Sequence, residues 1–280
     1  LILQFIVSGA LVGFVVGATG VGGGSLMTPL LTLFFGIPAQ VAVGTDLLFA
    51  AVTKSSGAIF YARRGQIPWP IVRWMAAGSL PAAVLTLGAL QLWHPDGAAL
   101  GRLIRPALGF ALLLTAGALA FRNQIQAWGV AVAASGRPRA AVLATATAEG
   151  AGATAFAGTD DVRQPLRTVA VGALIGTLVT LTSVGAGAIG VVALFFLYPA
   201  LPARRLVGAD IVHAVPLTLV AGLGHAALGT VDWMMLLGLL IGSLPAIHLG
   251  AAVAGRLPER ALRGLLGAML VLVGGRLLWV

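Results

Sequence analysis

Four residues could do chemistry inside stretches that are otherwise apolar. Lys54, the only lysine, falls in the middle of the segment 41 to 62. A charged ammonium is expensive in a membrane span, so each ionisable residue there marks a candidate site. Asp46 precedes it by two turns on a similar face, Asp210 holds the matching place in a second apolar segment, and His213 follows one turn later. An ammonium in that setting would neutralise an anionic substrate; the alternatives are that it snorkels or pairs with Asp46. A carboxyl in a low-dielectric site can carry a proton and couple protonation to anion movement, and His213 is close enough to share it. Asp46, Asp210 and His213 are therefore candidates for proton coupling. The competing roles are helix capping for the aspartates and a satisfied structural position for the histidine.

A second kind of chemistry needs no charged side chain. Residues 17 to 29 read GATGVGGGSLMTP. Such a run breaks a helix, and Ser25 can cap a new one through 26 to 35. The bare amides of Gly20, Gly22, Gly23 and Gly24 would then point at an anion, because N-terminal N–H groups lack internal partners and carry positive partial charge. In hydrocarbon those groups are costly unless buried in protein or facing a wet cavity. Residues 182 to 187 offer Ser183, Gly185 and Gly187 in the same way. Close helix packing by small residues is the rival explanation. The hydroxyls of Ser25, Thr28, Thr45, Ser55 and Ser56 suit the oxygens of an anion, though such side chains also bond back to their own helix. Ser25 and Thr45 join Lys54 and the glycines as candidate substrate ligands. A dinucleotide fingerprint with Asp46 as its acidic residue fails for lack of alternating strand and helix patterns.

The elements that must position these groups are membrane helices. The chain has 280 residues, 59% hydrophobic and 9% charged, where a soluble domain is about a quarter charged. Apolar runs at 1–17, 41–60, 74–92, 103–121, 166–181, 233–254 and 261–280 approach the roughly 20 residues that a spanning helix needs. The fold class is all-α, a polytopic membrane protein. The formal charge of +9 comes from arginines clustered between apolar runs, which is the positive-inside signature and not a nucleic-acid face. No cysteine is present, which removes disulfides, thiolate metal sites and cysteine nucleophiles; no metal or cofactor is implied. No cleavable signal peptide is evident, and the chain is expected to begin just inside its first helix.

Residues 44–82 align without a gap on 208–246. Gly44, Asp46, Gly65, Trp69 and the string GSLPA at 78–82 recur as Gly208, Asp210, Gly229, Trp233 and GSLPA at 242–246. Upstream, 19–24 corresponds to 182–187, and downstream Arg102 and Arg105 are matched to Arg260 and Arg263. The domains are a first transmembrane repeat over 1–121, a polar linker over 122–164 placed in the cytoplasm by its basic residues, and a second repeat over 165–280. Each repeat holds about five segments, in the first roughly 1–17, 25–36, 41–62, 68–92 and 101–121. An odd count, or three true spans if the first two segments form a re-entrant hairpin, inverts the second repeat. The arginines agree: Arg63 and Arg64 lie in a loop whose mate has none, and Arg204 and Arg205 likewise. Arginine-bearing loops inside put both termini outside, although Arg102 and Arg105 count the other way. Trp69, Trp93 and Trp233 are expected as interfacial anchors, and Pro81 and Pro245 as kinks in the fourth helix of each repeat.

Inverted repeats point to alternating-access transport with a site near the midplane, where broken helices meet. The stretch GFVVGATGVGGGSLMTPLL followed by GIPAQVAVGTDLL, and the same order in the second half, resembles the TauE/SafE membrane permeases, the sulfite exporters, over nearly the whole chain except 122–164. The resemblance implies a bacterial inner-membrane permease that exports a small sulfur-containing anion such as sulfite or an organosulfonate, with its path near both glycine motifs. The second half departs from the family's glycine triplet, reading SVGAGA at 183–188. If amides hold the anion, residues 20–25 should hold it more closely than 183–188. An uncoupled channel of the same architecture is the alternative. An intramembrane enzyme is disfavoured because H-E-x-x-H and G-x-S-x-G are absent. The expected partners are a small anion and the lipid bilayer, with a homo-oligomer left open.

Overall fold

A computed structural model describes residues 2–19, 24–63, 65, 67–93, 97–121, 124, 163–199, 201–253 and 259–279. Among the described residues every regular element is an α-helix. The first half contains α1 (Ile2–Thr19), α2 (Gly24–Phe34), α3 (Ala39–Arg63), α4 (Trp69–Trp93) and α5 (Gly97–Ala120). The second contains α6 (Arg163–Thr182), α7 (Ala188–Leu197), α8 (Ala203–Ala227), α9 (Trp233–Val253) and α10 (Glu259–Trp279). Apart from Gln124 and the first residues of α6, the linker expected at 122–164 lies outside the described residues.

The helices follow the apolar runs, and their lengths sort them. α3, α4 and α8 have 25 residues each, a rise of about 37 Å, while α2 and α7 have 11 and 10, a rise of only about 15–17 Å. A hydrocarbon core is about 30 Å thick, so the second helix of each half has half the length of a span. Segments within α4, α5, α6, α8 and α9 are long and apolar enough to cross a membrane. The surface has the polarity of a lipid-embedded protein. Leu85, Leu92 and Leu272 are exposed, whereas Asp46, Asp210, His213 and Lys54 are buried. Trp69, Trp93 and Trp233 stand exposed at helix ends, where an indole suits the interface.

Glycines bring the helices together across the two halves. α1 packs chiefly on α9, and α4 on α6. A methyl on Gly9 would lie 2.8 Å from Leu239 Cα, one on Gly13 2.6 Å from Ser243 O, and one on Gly242 2.8 Å from Ala10 N. In the other seam, a methyl on Gly172 would lie 3.1 Å from Met75 Cα, on Gly176 2.7 Å from Ser79 Cα, and on Gly78 2.8 Å from Ala173 N. Each contact of the first seam has its repeat mate in the second. Contact numbering rises together in both, so each pair runs parallel; small residues are what let backbones approach this closely.

Two further pairs join a helix to its own repeat mate. α3 runs antiparallel to α8, with Gly44 at His225, Leu48 at Gly222 and Gly57 at Ile211. α5 runs antiparallel to α10: Gly109 meets Gly274 and Leu278, and Gly274 meets Gly109 and Leu112. Gly109 and Gly274 thus face one another.

Candidate functional site

The antiparallel register of α3 and α8 defines the middle of the molecule. A residue faces its own repeat mate where 52–53 meets 216–217, and Lys54 lies within about half a turn of that level. Asp46 sits two turns away, about 12 Å of helix rise toward one end. Asp210 faces the level of residue 59, about 7–8 Å toward the other. One buried ammonium thus stands between two buried carboxyls, all within the helix pair that joins the halves.

Hydrogen bonds tie this line to the segment between α6 and α7. Lys54 Nζ donates to the carbonyl of Ala186 at 2.7 Å. Asp46 Oδ2 accepts two hydroxyls, from Thr28 of α2 at 2.6 Å and from Ser183 at 2.8 Å. Ser183 has φ +60°, a left-handed conformation that costs an L-residue roughly 1–2 kcal/mol. Its repeat mate is Gly20. A serine here gives up glycine's conformational freedom and supplies a donor to the carboxyl of the other half. Asp210 leans on the first turn of α7, where a methyl on Gly190 would overlap Oδ1 and lie 3.0 Å from Cγ. A carboxylate at a helix N-terminus is favoured by the dipole. Neither oxygen of Asp210, nor Asp46 Oδ1, has a hydrogen-bond partner among the described residues.

The other histidines divide by partner. His213 Nε2 and Ser79 Oγ of α4 are 2.7 Å apart, and Nδ1 is buried without a partner among the described residues. His225 uses both nitrogens, one with Thr230 Oγ1 at 2.8 Å and one with the Thr180 carbonyl at 2.9 Å. It ties α8 to α6 and to the turn before α9. His248 is exposed and bonds its own helix at Leu244.

The chain matches the sulfite exporter TauE/SafE model over residues 5–277. It belongs to the TauE/SafE family. This TauE/SafE chain is similar to the probable membrane transporter protein YjnA of Bacillus subtilis (strain 168), with 32% identity over 281 residues and 99% of each chain covered. It is also similar to a probable membrane transporter protein of Xylella fastidiosa (strain Temecula1), 27% identical over 97% of this chain and 93% of that one. A third relative, the probable membrane transporter protein YdhB of Bacillus subtilis, is 26% identical over 90% of each chain. No solved structure matches. Family and relatives together make the protein a multi-pass membrane transporter.

Within this TauE/SafE fold the sequence candidates separate. Lys54, Asp46, Asp210, His213 and Ser183 fall along one buried line. Gly185 and Gly187 flank the carbonyl that holds Lys54, with φ +126° and +136°. The amides of Ser183, Val184, Gly190 and Val191 are bonded within the segment. Gly20, Gly22 and Gly23 lie outside the described residues; Gly24 and Ser25 open α2. Thr45 is committed elsewhere, its hydroxyl accepting from the Asp232 amide at 3.1 Å to fasten the turn before α9. Ser55 and Ser56 bond back to Ala51 and Thr53 of their own helix. Sequence reasoning missed Ser79, Gly190 and the specific task of Thr28. Ser79 was in view inside the duplicated GSLPA string, where it served only to mark the repeat.

Proposed function

We propose that the protein is a secondary transporter carrying a small sulfur-containing oxyanion, such as sulfite or an organosulfonate, outward across the bacterial cytoplasmic membrane. Transport runs by alternating access and is coupled to protons. One observation carries this reading: the only lysine is buried at the centre of the α3–α8 pair, with one carboxyl toward each end. A buried ammonium is a strong anion ligand because little solvent screens it. Carboxyls on both sides of it give each face of the membrane a group that can exchange a proton. The antiparallel pairing of α3 with α8 and of α5 with α10 supports reading the halves as inverted repeats, the arrangement that suits alternating access. Sulfite and export come from the family description.

A thermal-shift panel of sulfite, sulfate, thiosulfate, sulfoacetate and taurine on the purified protein identifies the anion, since a ligand of the folded state raises its melting temperature. Lys54→Gln abolishes that shift. In proteoliposomes, preloading with unlabelled anion accelerates labelled uptake by a carrier; a channel gives no acceleration. Unchanged anion affinity in Lys54→Gln defeats the assignment of the site.

A further inference from the structure

The two halves agree at Asp46 and Asp210 and at Ser79 and Ser243, and among the buried positions of the α3–α8 pair where they differ, two bear on the site. Lys54 has Thr218 as its mate, and His213 has Phe49. Phe49 fills its place as an apolar core residue with Met235, Leu236 and Leu239. The first half thus holds an aromatic hydrocarbon at the mate position, so the repeat itself does not call for a histidine. Thr218 bonds its own helix at Ala214, as a buried threonine normally does. A charge stands at the first of these positions and ring nitrogens at the second, where the other half has neither.

The serines differ in the same sense. Ser243 turns to the carbonyl of Leu240 on its own helix, whereas the hydrogen bond of Ser79 is to His213 Nε2. Proton counting sets its direction. If Ser79 donates to Nε2, the ring proton sits on Nδ1 and that N–H is the one group left unmatched. If Nε2–H donates to Ser79, both the serine hydroxyl proton and the Nδ1 lone pair are left over. Buried polar groups are nearly always paired, so the first arrangement is favoured, and it leaves a buried N–H donor on α8, close to the level of Lys54 in the antiparallel register of α3 and α8.

We propose that His213 is the second ligand of the transported oxyanion: its Nδ1–H, fixed by Ser79 as a positioning residue, donates to the anion that Lys54 neutralises. The inference rests on the anion-transport reading and assigns the ligand set of that site, one donor from each half. A neutral N–H beside an ammonium suits a small oxyanion with several equivalent oxygens, because the two donors take different oxygens.

The test uses the full chain, labelled with ¹⁵N-histidine, and the same five anions. His213 is expected as a neutral ring protonated at Nδ1, a pattern lost in Ser79→Ala, with the Nδ1–H resonance moving when the stabilising anion is added. His213→Phe copies the other half, keeps the melting temperature of the free protein, and raises the counterflow KM about tenfold or more with the maximal rate largely kept, the loss expected for one hydrogen bond to a charged group. Ser79→Ala shows a smaller rise. A ring proton on Nε2, or a wild-type KM in His213→Phe, overturns the inference alone. If none of the five anions stabilises the wild type, the transport reading falls and takes the inference with it.

Discussion

Gly190→Ala tests whether the Asp210 carboxyl works from the place it occupies against α7. The new methyl would overlap Oδ1 and lie 3.0 Å from Cγ, where ordinary carbon contacts are about 3.5–4.0 Å. The carboxyl must retreat by half an ångström or more, or α7 must shift. Overpacking of this kind costs about 1–3 kcal/mol. At about 1.4 kcal/mol per factor of ten, a strain felt only in the substrate-bound arrangement lowers anion affinity about 5- to 150-fold. The assay is counterflow with the identified anion, run for wild type, Gly190→Ala, Asp210→Ala and the double variant. If the methyl acts through the carboxyl, its cost shrinks in the Asp210→Ala background, where the overlapped atoms are gone, because effects on contacting groups are not additive. Wild-type transport by Gly190→Ala, or full additivity in the double variant, refutes the assignment of Asp210 to the working site.

Three further outcomes follow from the same geometry. Gly78→Ala and Gly242→Ala, repeat mates whose methyls would each fall 2.8 Å from backbone nitrogen of the partner helix, should each cost about 1–3 kcal/mol and lower the melting temperature alike. Gly88→Ala, with nothing within 4 Å of its methyl, should be neutral or gain up to about 1 kcal/mol of helix propensity; equal melting temperatures for all three would contradict the seams. Asp46→Asn and Asp210→Asn should flatten the pH dependence of transport, and a slope kept in both variants counts against proton coupling. Thr28→Val removes one of two hydroxyls from Asp46 Oδ2 and should destabilise by about 1–2 kcal/mol, with the loss vanishing in Asp46→Asn.

Much of the fold was legible because hydrophobic runs act locally. The apolar segments anticipated helix order and type, and the segment 25–36 anticipated the short α2 to within two residues. Lys54, Asp46, Asp210 and His213 stood out because a charged or polar side chain within an apolar run is itself the signal. Partnerships were less visible. Ser79 meets His213 across 134 positions of chain, and nothing near GSLPA announces a histidine. Thr45 looked like a ligand from its place beside Asp46, yet adjacent residues on a helix point in different directions, and its hydroxyl goes to the Asp232 amide. Ser183 was a candidate ligand for its place in the second glycine motif; the structure aims its hydroxyl at a carboxyl 137 residues away.

The seams of α1 with α9 and of α4 with α6 bear on how such a chain is made. Neither half holds its own first helix: α1 finds its close-fitting glycine surface only in α9, far downstream, and α4 must wait for α6. During synthesis α1 enters the bilayer with its glycine face open to lipid, and it is covered only after most of the protein has been inserted. A truncated first half should therefore be a degradation target and not a functional half-transporter. Coexpression of the two halves as separate chains should restore what neither has alone.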